Sequence, residues 1–342
     1  MLLDIGSLSL EWGSYLPEVQ LAYHTYGEYH AGRTPVVWVC HPLTASSEVP
    51  LWWKGLFEPG AIFDPARWFI ICVNNLGSCY GSTGPLSINP ETGQPYYDSF
   101  PLITVRDIAR SMIEARRRLG IESIDVLIGG SLGGQIALEW ALHEPDRFQN
   151  LILIACNAKH SAWGIAFNES QRMAIRADPT YYERSPDGGQ AGLRAARSIA
   201  LLSYRTYQAY VQFQSDDSTT PPYIRRPVTY QQYQGEKLVR RFNAYSYVTL
   251  SYAMDSHDVF RARPQNCLAT LSARTLIIGI EEDILFPICE QAFLHENIPD
   301  STLYIMQSLY GHDGFLVDTH KVQMAITGFL PAELRFFHEQ NS

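Results

Sequence analysis

The sequence predicts an α/β protein: a mainly parallel sheet flanked by helices, interrupted by an inserted helical lid. Three observations predict it. Short apolar runs rich in β-branched residues recur along the chain: VVWVCH (36–41), WFIICVN (68–74), IDVLIG (124–129), NLILIA (150–155), TLIIGI (275–280) and TLYIMQS (302–308). They are continuous rather than alternating, as expected of strands covered on both faces. Helical patterns separate several of them, and strands alternating with helices build a parallel sheet. The rhythm then breaks over residues 160–262, which are rich in Tyr, Gln and Arg, carry helical periods and lack a buried-strand run.

Each element has a local reason. Residues Leu8 to Thr25 alternate in part and suggest hairpin strands. In TVRDIARSMIEARRRLG (104–120), Thr104 is the N-cap and Asp107 stands three residues on, a capping-box start. Val105, Ile108, Met112 and Leu119 share a face, and Gly120 ends the helix. The insertion divides the chain into a core of residues 1–159 and 263–342 and a lid of residues 160–262. Within the lid, QSDDSTTPPYIRRPVTY (214–230) reads as a loop by its Ser, Thr, Asp and Pro content.

Composition excludes several classes of function. The 342 residues suit one large domain with an insertion. A formal net charge of −9 argues against nucleic acid as a partner, because phosphate backbones need a clustered positive surface. The densest basic run, Arg116–Arg117–Arg118, reads as the solvated end of a helix. No run of ~18 apolar residues is present, so no membrane span is expected. No Lys or Arg precedes Arg33, so no secretory signal is expected either. The cysteines at 40, 72, 79, 156, 267 and 289 show no CxxC pairing; Cys40, Cys72 and Cys156 read as buried free thiols. A reducing, cytoplasmic setting follows, with neither disulfides nor a metal site.

One stretch carries chemistry. Gly129-Gly130-Ser131-Leu132-Gly133 matches G-x-S-x-G after a strand and before a helix. That context defines a nucleophile elbow, in which a tight turn presents the serine and small neighbours let strand and helix approach. The helix N-terminus favours developing negative charge. A serine hydroxyl is a weak nucleophile without a base. An acid and a histidine are expected after later strands, in that order. TLIIGI is followed by Glu281-Glu282-Asp283, and TLYIMQS by Leu309-Tyr310-Gly311-His312-Asp313. Asp283 and His312 are the candidates, with Glu281 and Glu282 as competing acids. His257 reads as a helix-end histidine, His41 as a residue shaping the loop after the first core strand, and His160 has no motif. An oxyanion hole needs two backbone N–H groups. Leu132, directly after the serine, offers one. In His41-Pro42-Leu43-Thr44, Pro42 has no N–H, so Leu43 offers the other.

The chain also resembles the homoserine O-acetyltransferases, an α/β-hydrolase family, over roughly residues 20–320. The carrying stretches are LAYHTYGE (21–28), CHPLTASSEV (40–49), ICVNNLGSCYGSTGPLSINPETGQPY (71–96), FPLITVRD (100–107), GGSLGGQIALEWA (129–141), SAWGIAFNESQRMAI (161–175), RRFNAYSYVTLSYAMD (240–255), EEDILFP (281–287) and GHDGFL (311–316). The resemblance implies an α/β-hydrolase fold and a ping-pong reaction of methionine biosynthesis. Ser131 would take acetyl from acetyl-CoA, a co-substrate rather than a bound cofactor, and His312, oriented by Asp283, would pass it to L-homoserine. It favours Asp283 over its neighbours as the acid. It further implies Arg205 as the carboxylate contact, Asp313 as the α-amine contact, Tyr247 as a lid tyrosine near the substrate, and a homodimer through the lid. No short motif marks the CoA contacts; Arg225, Arg226 and Arg240 are basic lid candidates. The chain departs from the family's usual HALTG loop, reading HPLTAS, which alters a wall of the acyl pocket. A succinyl donor and a serine acceptor therefore stand as alternatives within the family, and a carboxylesterase as one outside it.

Overall fold

In the central strands, alternate side chains point to opposite faces of the sheet, and both faces are buried. Trp38, Ile71, Leu127 and Leu151 join one apolar cluster with Ile108, Met112, Ile136 and Trp140. Val39, Ile70, Val126 and Ile152 join a second with Trp53, Phe63, Val322 and Ile326. Continuous apolar runs are the consequence, since no position faces water. Burying each such side chain stabilises by about 1.5–3 kcal/mol.

The computed structural model describes residues 1–217 and 219–335. Strands β1 (Leu2–Ser9) and β2 (Tyr15–Tyr26) form the N-terminal antiparallel hairpin. They are followed by β3 (Val36–Cys40), β4 (Phe69–Val73), a two-residue ribbon of β5 (Ile88–Asn89) and β6 (Gln94–Pro95), then β7 (Ile124–Gly130), β8 (Phe148–Ile154), β9 (Arg274–Ile280) and β10 (Ser301–Met306). Among the described residues the main sheet has eight strands, in the order β1-β2-β4-β3-β7-β8-β9-β10. From β4 to β10 every pairing is parallel. β10 differs from the expectation of two covered faces: it is the edge strand, and Ile305 on it is 46% exposed.

The core helices are α1 (Val49–Trp52), α2 (Val105–Arg118), α3 (Leu132–His143), α9 (Ile288–Asn297), α10 (Gly314–Val317), α11 (Thr319–Phe329) and α12 (Ala332–Arg335). α2 begins with the capping box read from the sequence: Asp107 N–H donates to Thr104 Oγ1 at 3.1 Å, and Thr104 N–H donates to the Asp107 carboxylate at 3.0 Å.

Between β8 and β9 run α4 (Ala162–Arg176), α5 (Gln190–Tyr204), α6 (Tyr207–Gln214), α7 (Arg226–Val239) and α8 (Ala244–Asp255). The neck of this insertion is stapled. Lys159 and Asp258 form an antiparallel bridge and an ion pair at 2.9 Å, and His160 N–H donates to the His257 carbonyl at 2.8 Å. The stretch read as a loop to residue 230 is shorter than expected, because α7 already begins at Arg226. Pro227 suits a first helical turn, which needs no N–H there, and the Asp216 carboxylate accepts the Arg226 N–H at 2.6 Å.

The functional face lies at the C-terminal ends of β3, β7, β9 and β10, where open parallel sheets bind ligands. Its tightest point is the approach of α3 to β3. A Cβ on Gly133 would lie 2.0 Å from the Cys40 carbonyl oxygen. Gly133→Ala should therefore destabilise by about 1–3 kcal/mol or more through overpacking, read as a fall in the thermal midpoint of several degrees. Gly328→Ala on α11, where a Cβ meets nothing within 4 Å, should leave the midpoint level or slightly higher. Equal effects at both positions would contradict the packing assigned to Gly133.

Candidate active site

Ser131 stands between β7 and α3 with φ +55° and ψ −127°, a conformation that side-chain-bearing residues rarely adopt. Such a residue costs on the order of 1–3 kcal/mol and persists only where its surroundings impose it. Here Ser131 N–H donates to the Ile154 carbonyl at 2.9 Å, and the Ser131 carbonyl accepts from Gln135 N–H at 3.1 Å. Gly129 has no room for a side chain: a Cβ there would lie 2.2 Å from the Gly133 carbonyl oxygen.

His312 sits on the short turn after β10, buried, with its ring stacked on Phe286 at 5.2 Å and edged by Phe315 at 5.7 Å. Its Nδ1 lies 2.6 Å from Asp283 Oδ2, and its Nε2 lies 3.0 Å from Ser131 Oγ. A carboxylate only accepts, so Nδ1 carries the proton and Nε2 is free to accept one from the serine. The other Asp283 oxygen accepts the Leu285 and Phe286 N–H groups at 2.8 and 2.9 Å. Burial alone would push the imidazolium down. The charge and hydrogen bond of Asp283, with Asp313 adding to them, outweigh it and raise the His312 pKa above its ordinary 6.5.

The competing acids are occupied elsewhere. Glu281 accepts from Gln307 Nε2 at 2.8 Å, and Glu282 accepts from Ser308 N–H at 2.7 Å. His257 is buried, with Nε2 2.8 Å from the Asn157 carbonyl, and His160 packs against Gln135 and Asn168. Burial holds both rings neutral, with pKa values down to about 4 and about 3. Neither reaches Ser131.

Ser131 and His312 open into a cavity of about 530 Å³ between core and lid. Leu43 lines it, and Leu132 opens α3, where the first N–H groups of a helix have no intrahelical acceptor. Arg205 and Asp313 both line the cavity and pair with each other, Nε to Oδ2 at 2.8 Å, with the guanidinium over the Tyr310 ring. Two readings need correction. Tyr247 does not line the cavity: it is fully buried in the lid and donates to Gln171 at 2.6 Å. Tyr204 lines the cavity instead, its ring centroid 5.6 Å from that of His312. Arg225, Arg226 and Arg240 do not line it either. Arg226 lies by Asp216 and Arg240 by Glu236, while Arg225 donates to the Thr220 carbonyl. Besides Arg205, the cavity is lined by the cations Arg197 on α5, Lys237 on α7 and Arg241 just beyond it. No motif marks them; only the packing of α5 on α7 over the core brings them together, which single-helix periodicity does not reveal.

Asp283→Asn should fold normally but lose on the order of 10⁴ in kcat, because the amide favours the wrong imidazole tautomer. Glu282→Gln should stay within a few-fold of the parent. The acid limb of kcat/KM should lie above pH 6.5, since protonated His312 cannot accept the serine proton. By linkage, the raised pKa adds stability that is fully present below pH 6.5 and is lost as pH rises through the folded value. A limb below 6.5, or a severe Glu282→Gln defect, would contradict this arrangement.

Comparison with known proteins agrees with this geometry. A family model described as the alpha/beta hydrolase fold matches residues 35–319. A homoserine O-acetyltransferase of Cyclobacterium marinum is 45% identical over 331 residues, covering 94% of this chain and 92% of the relative. Among solved structures, a homoserine O-acetyltransferase from Bacillus anthracis superposes with a TM-score of 0.88 at 25% identity, covering 96% of each chain. The acetyl esterase MekB superposes with a TM-score of 0.84 at 23% identity over 98% and 96% of the two chains, a likeness of fold alone. The chain belongs to the homoserine O-acetyltransferase family of α/β hydrolases.

Proposed function

We propose that the chain transfers an acetyl group from acetyl-CoA to the γ-hydroxyl of L-homoserine through an acyl-enzyme on Ser131, a step of methionine biosynthesis. The observation that carries this reading is the Arg205–Asp313 pair inside the cavity of Ser131. A carboxylester needs no such pair. A zwitterionic amino acid does: its carboxylate suits the planar guanidinium fork, and its ammonium suits the aspartate. The Arg205 Nε–Asp313 contact is close but is not aligned as a hydrogen bond. An incoming amino acid can therefore exchange one imperfect pair for two good ones. Arg197, Lys237 and Arg241, which line the cavity together with Glu48, support a polyanionic donor, in a chain whose net charge is −9. Among the described residues, Arg197 and Lys237 form no ion pair.

The steps follow from these positions. Ser131 Oγ attacks the thioester carbonyl as His312 Nε2 takes its proton, and the Leu43 and Leu132 N–H groups receive the negative oxygen. The carbon–sulfur bond breaks and the CoA sulfur leaves with the proton from His312. The homoserine hydroxyl then loses its proton to His312 and attacks the acetyl-serine. Ser131 departs and recovers its proton from His312. Transfer to an alcohol rather than to water requires that the acceptor be held in place, which the charged pair beside the nucleophile provides. The homodimer through the lid would cover exposed lid side chains such as Tyr207, Val211, Tyr223 and Tyr233. Six unpaired cysteines suit the reducing cytoplasm.

Two variants separate the halves of the reaction. Arg205→Ala should slow acetyl transfer to homoserine by about 30-fold or more, the effect of about 2–5 kcal/mol from an unpaired partner. It should leave acylation by acetyl-CoA much less affected. Lys237→Glu should raise the KM for acetyl-CoA by about tenfold at low salt, and leave unchanged the KM for an acetyl thioester lacking the nucleotide. Equal losses in both halves for Arg205→Ala, or equal KM shifts for both donors in Lys237→Glu, would contradict the proposal.

A further inference from the structure

The loop that supplies Leu43 is held at both ends by two consecutive asparagines that follow β4. At its far end Asn74 takes the Ser47 N–H on Oδ1 at 2.7 Å and approaches Ser47 Oγ with Nδ2 at 2.8 Å. At its near end the Asn75 backbone N–H donates to His41 Nε2 at 2.9 Å, and the Asn75 side-chain amide reaches the His41 carbonyl at 3.3 Å. His41 Nδ1 lies 2.9 Å from the Pro42 carbonyl oxygen. His41 is wholly buried and does not line the cavity of Ser131.

Asn75 Nδ2 also lies 3.4 Å from His41 Nδ1, farther than either backbone partner, so the two 2.9 Å backbone contacts decide the tautomer. A backbone N–H only donates, so Nε2 is unprotonated; a carbonyl only accepts, so Nδ1 carries the proton. The same carbonyl receives the Ala45 N–H at 3.1 Å and is fixed from two sides. The Pro42–Leu43 peptide is planar, so its N–H points opposite to its C=O. Proline lends the turn a fixed φ and removes the one N–H that could compete. Whatever holds the Pro42 carbonyl therefore aims the Leu43 N–H. Burial keeps the ring neutral by pushing its pKa down to about 4, so the arrangement does not titrate over the range in which His312 works.

We propose that His41 is a positioning residue: by donating Nδ1–H to the Pro42 carbonyl while accepting from Asn75, it aims the Leu43 N–H at the oxygen that becomes negative during acyl transfer. This rests on the acyl-enzyme reading above, in which Leu43 supplies one of the two donors. It assigns a task to the Asn74–Asn75 pair, which the sequence marks only as part of a family stretch. It also separates His41 from the general base, since the ring is spent on two backbone partners.

The test uses the two amide side chains that mimic the two ring nitrogens. In His41→Asn the amide nitrogen falls near the place of Nδ1 and keeps a donor for Pro42. In His41→Gln the amide group falls near Nε2, keeps an acceptor for Asn75 and loses the donor. Removing one oxyanion donor outright lowers kcat about 10²–10³-fold. Misaiming it in His41→Gln should lower kcat about 10–100-fold with KM for the acyl donor within threefold. His41→Asn should recover most of that loss. Affinity for a boronic acid that forms a tetrahedral adduct with Ser131 should fall in step with kcat. Comparable losses in both variants that follow thermal stability, or a KM that moves as much as kcat, would overturn the proposal and leave His41 a core side chain. Where neither variant folds, ring-nitrogen NMR of the parent decides: a neutral Nδ1–H tautomer between pH 5.5 and 8 is required (a window about 1.5 or more above the ring's lowered value), and an Nε2–H tautomer overturns it. A parent enzyme that forms no acyl-serine would refute the acyl-enzyme reading, a result distinct from any of these.

Discussion

The structure depends on how closely α3 can approach the ends of β7 and β3. That approach is set by two missing side chains, at Gly129 and Gly133, whose Cβ atoms would lie 2.2 and 2.0 Å from backbone carbonyl oxygens. Because the helix packs so near, Ser131 is held at positive φ with its hydroxyl turned to the cavity. The helix N-terminus arrives beside it with unpaired N–H groups, and the loop after β3 closes from the other side. The strain at one residue is thus maintained by packing across three strands and a helix. The His312 and Asp283 loops leave the neighbouring strands β10 and β9, so sheet register alone brings them to the serine.

Charge is distributed in the site by the same logic. Asp283 is fully spoken for, by two backbone N–H groups and the imidazole, and so it orients His312 and stabilises its charged form. Arg205 and Asp313 compensate each other in the acceptor-free protein and avoid the cost of lone buried charges. Arg241 is spent on the loop itself, donating to Thr44 and to Tyr80. It ties the lid to the segment that carries Leu43. The remaining cations, Arg197 and Lys237, stand at the cavity without an ion pair among the described residues. The site therefore combines a neutralised pair beside the nucleophile with two cations that, among the described residues, lie outside any ion pair.

Most of the core was legible in the sequence because its determinants are local. Continuous apolar runs encode strands buried on both faces, and Thr104 with Asp107 encodes a helix start. The G-x-S-x-G between strand and helix pointed to the elbow, and the order of Asp283 and His312 after later strands pointed to their partners. What stayed hidden depends on contacts between distant elements. Tyr204 and Tyr247 are both lid tyrosines, and only the packing of α5 against the core puts the first in the cavity and the second behind it. Arg225 and Arg226 have the charge expected of donor contacts but face away, while Lys237 faces in. Their helix, α7, begins earlier than composition suggested, because Asp216 caps it from outside the helix. His41 was legible as a residue shaping the loop after β3, but its partner was not, since Asn75 arrives from the next strand in space.

The central claim is that Ser131 carries an acetyl group that an amino acid, and not water, removes. Rapid mixing with acetyl-CoA followed by acid quench and intact-mass measurement tests it most directly. A gain of one acetyl group per chain, located on Ser131 by peptide mapping, is the expected result. The adduct should persist in buffer and discharge quickly when L-homoserine is added. An adduct that water removes as fast as homoserine does would make the protein an esterase. Absence of any adduct while CoA is still released in proportion to homoserine would contradict the acyl-enzyme altogether.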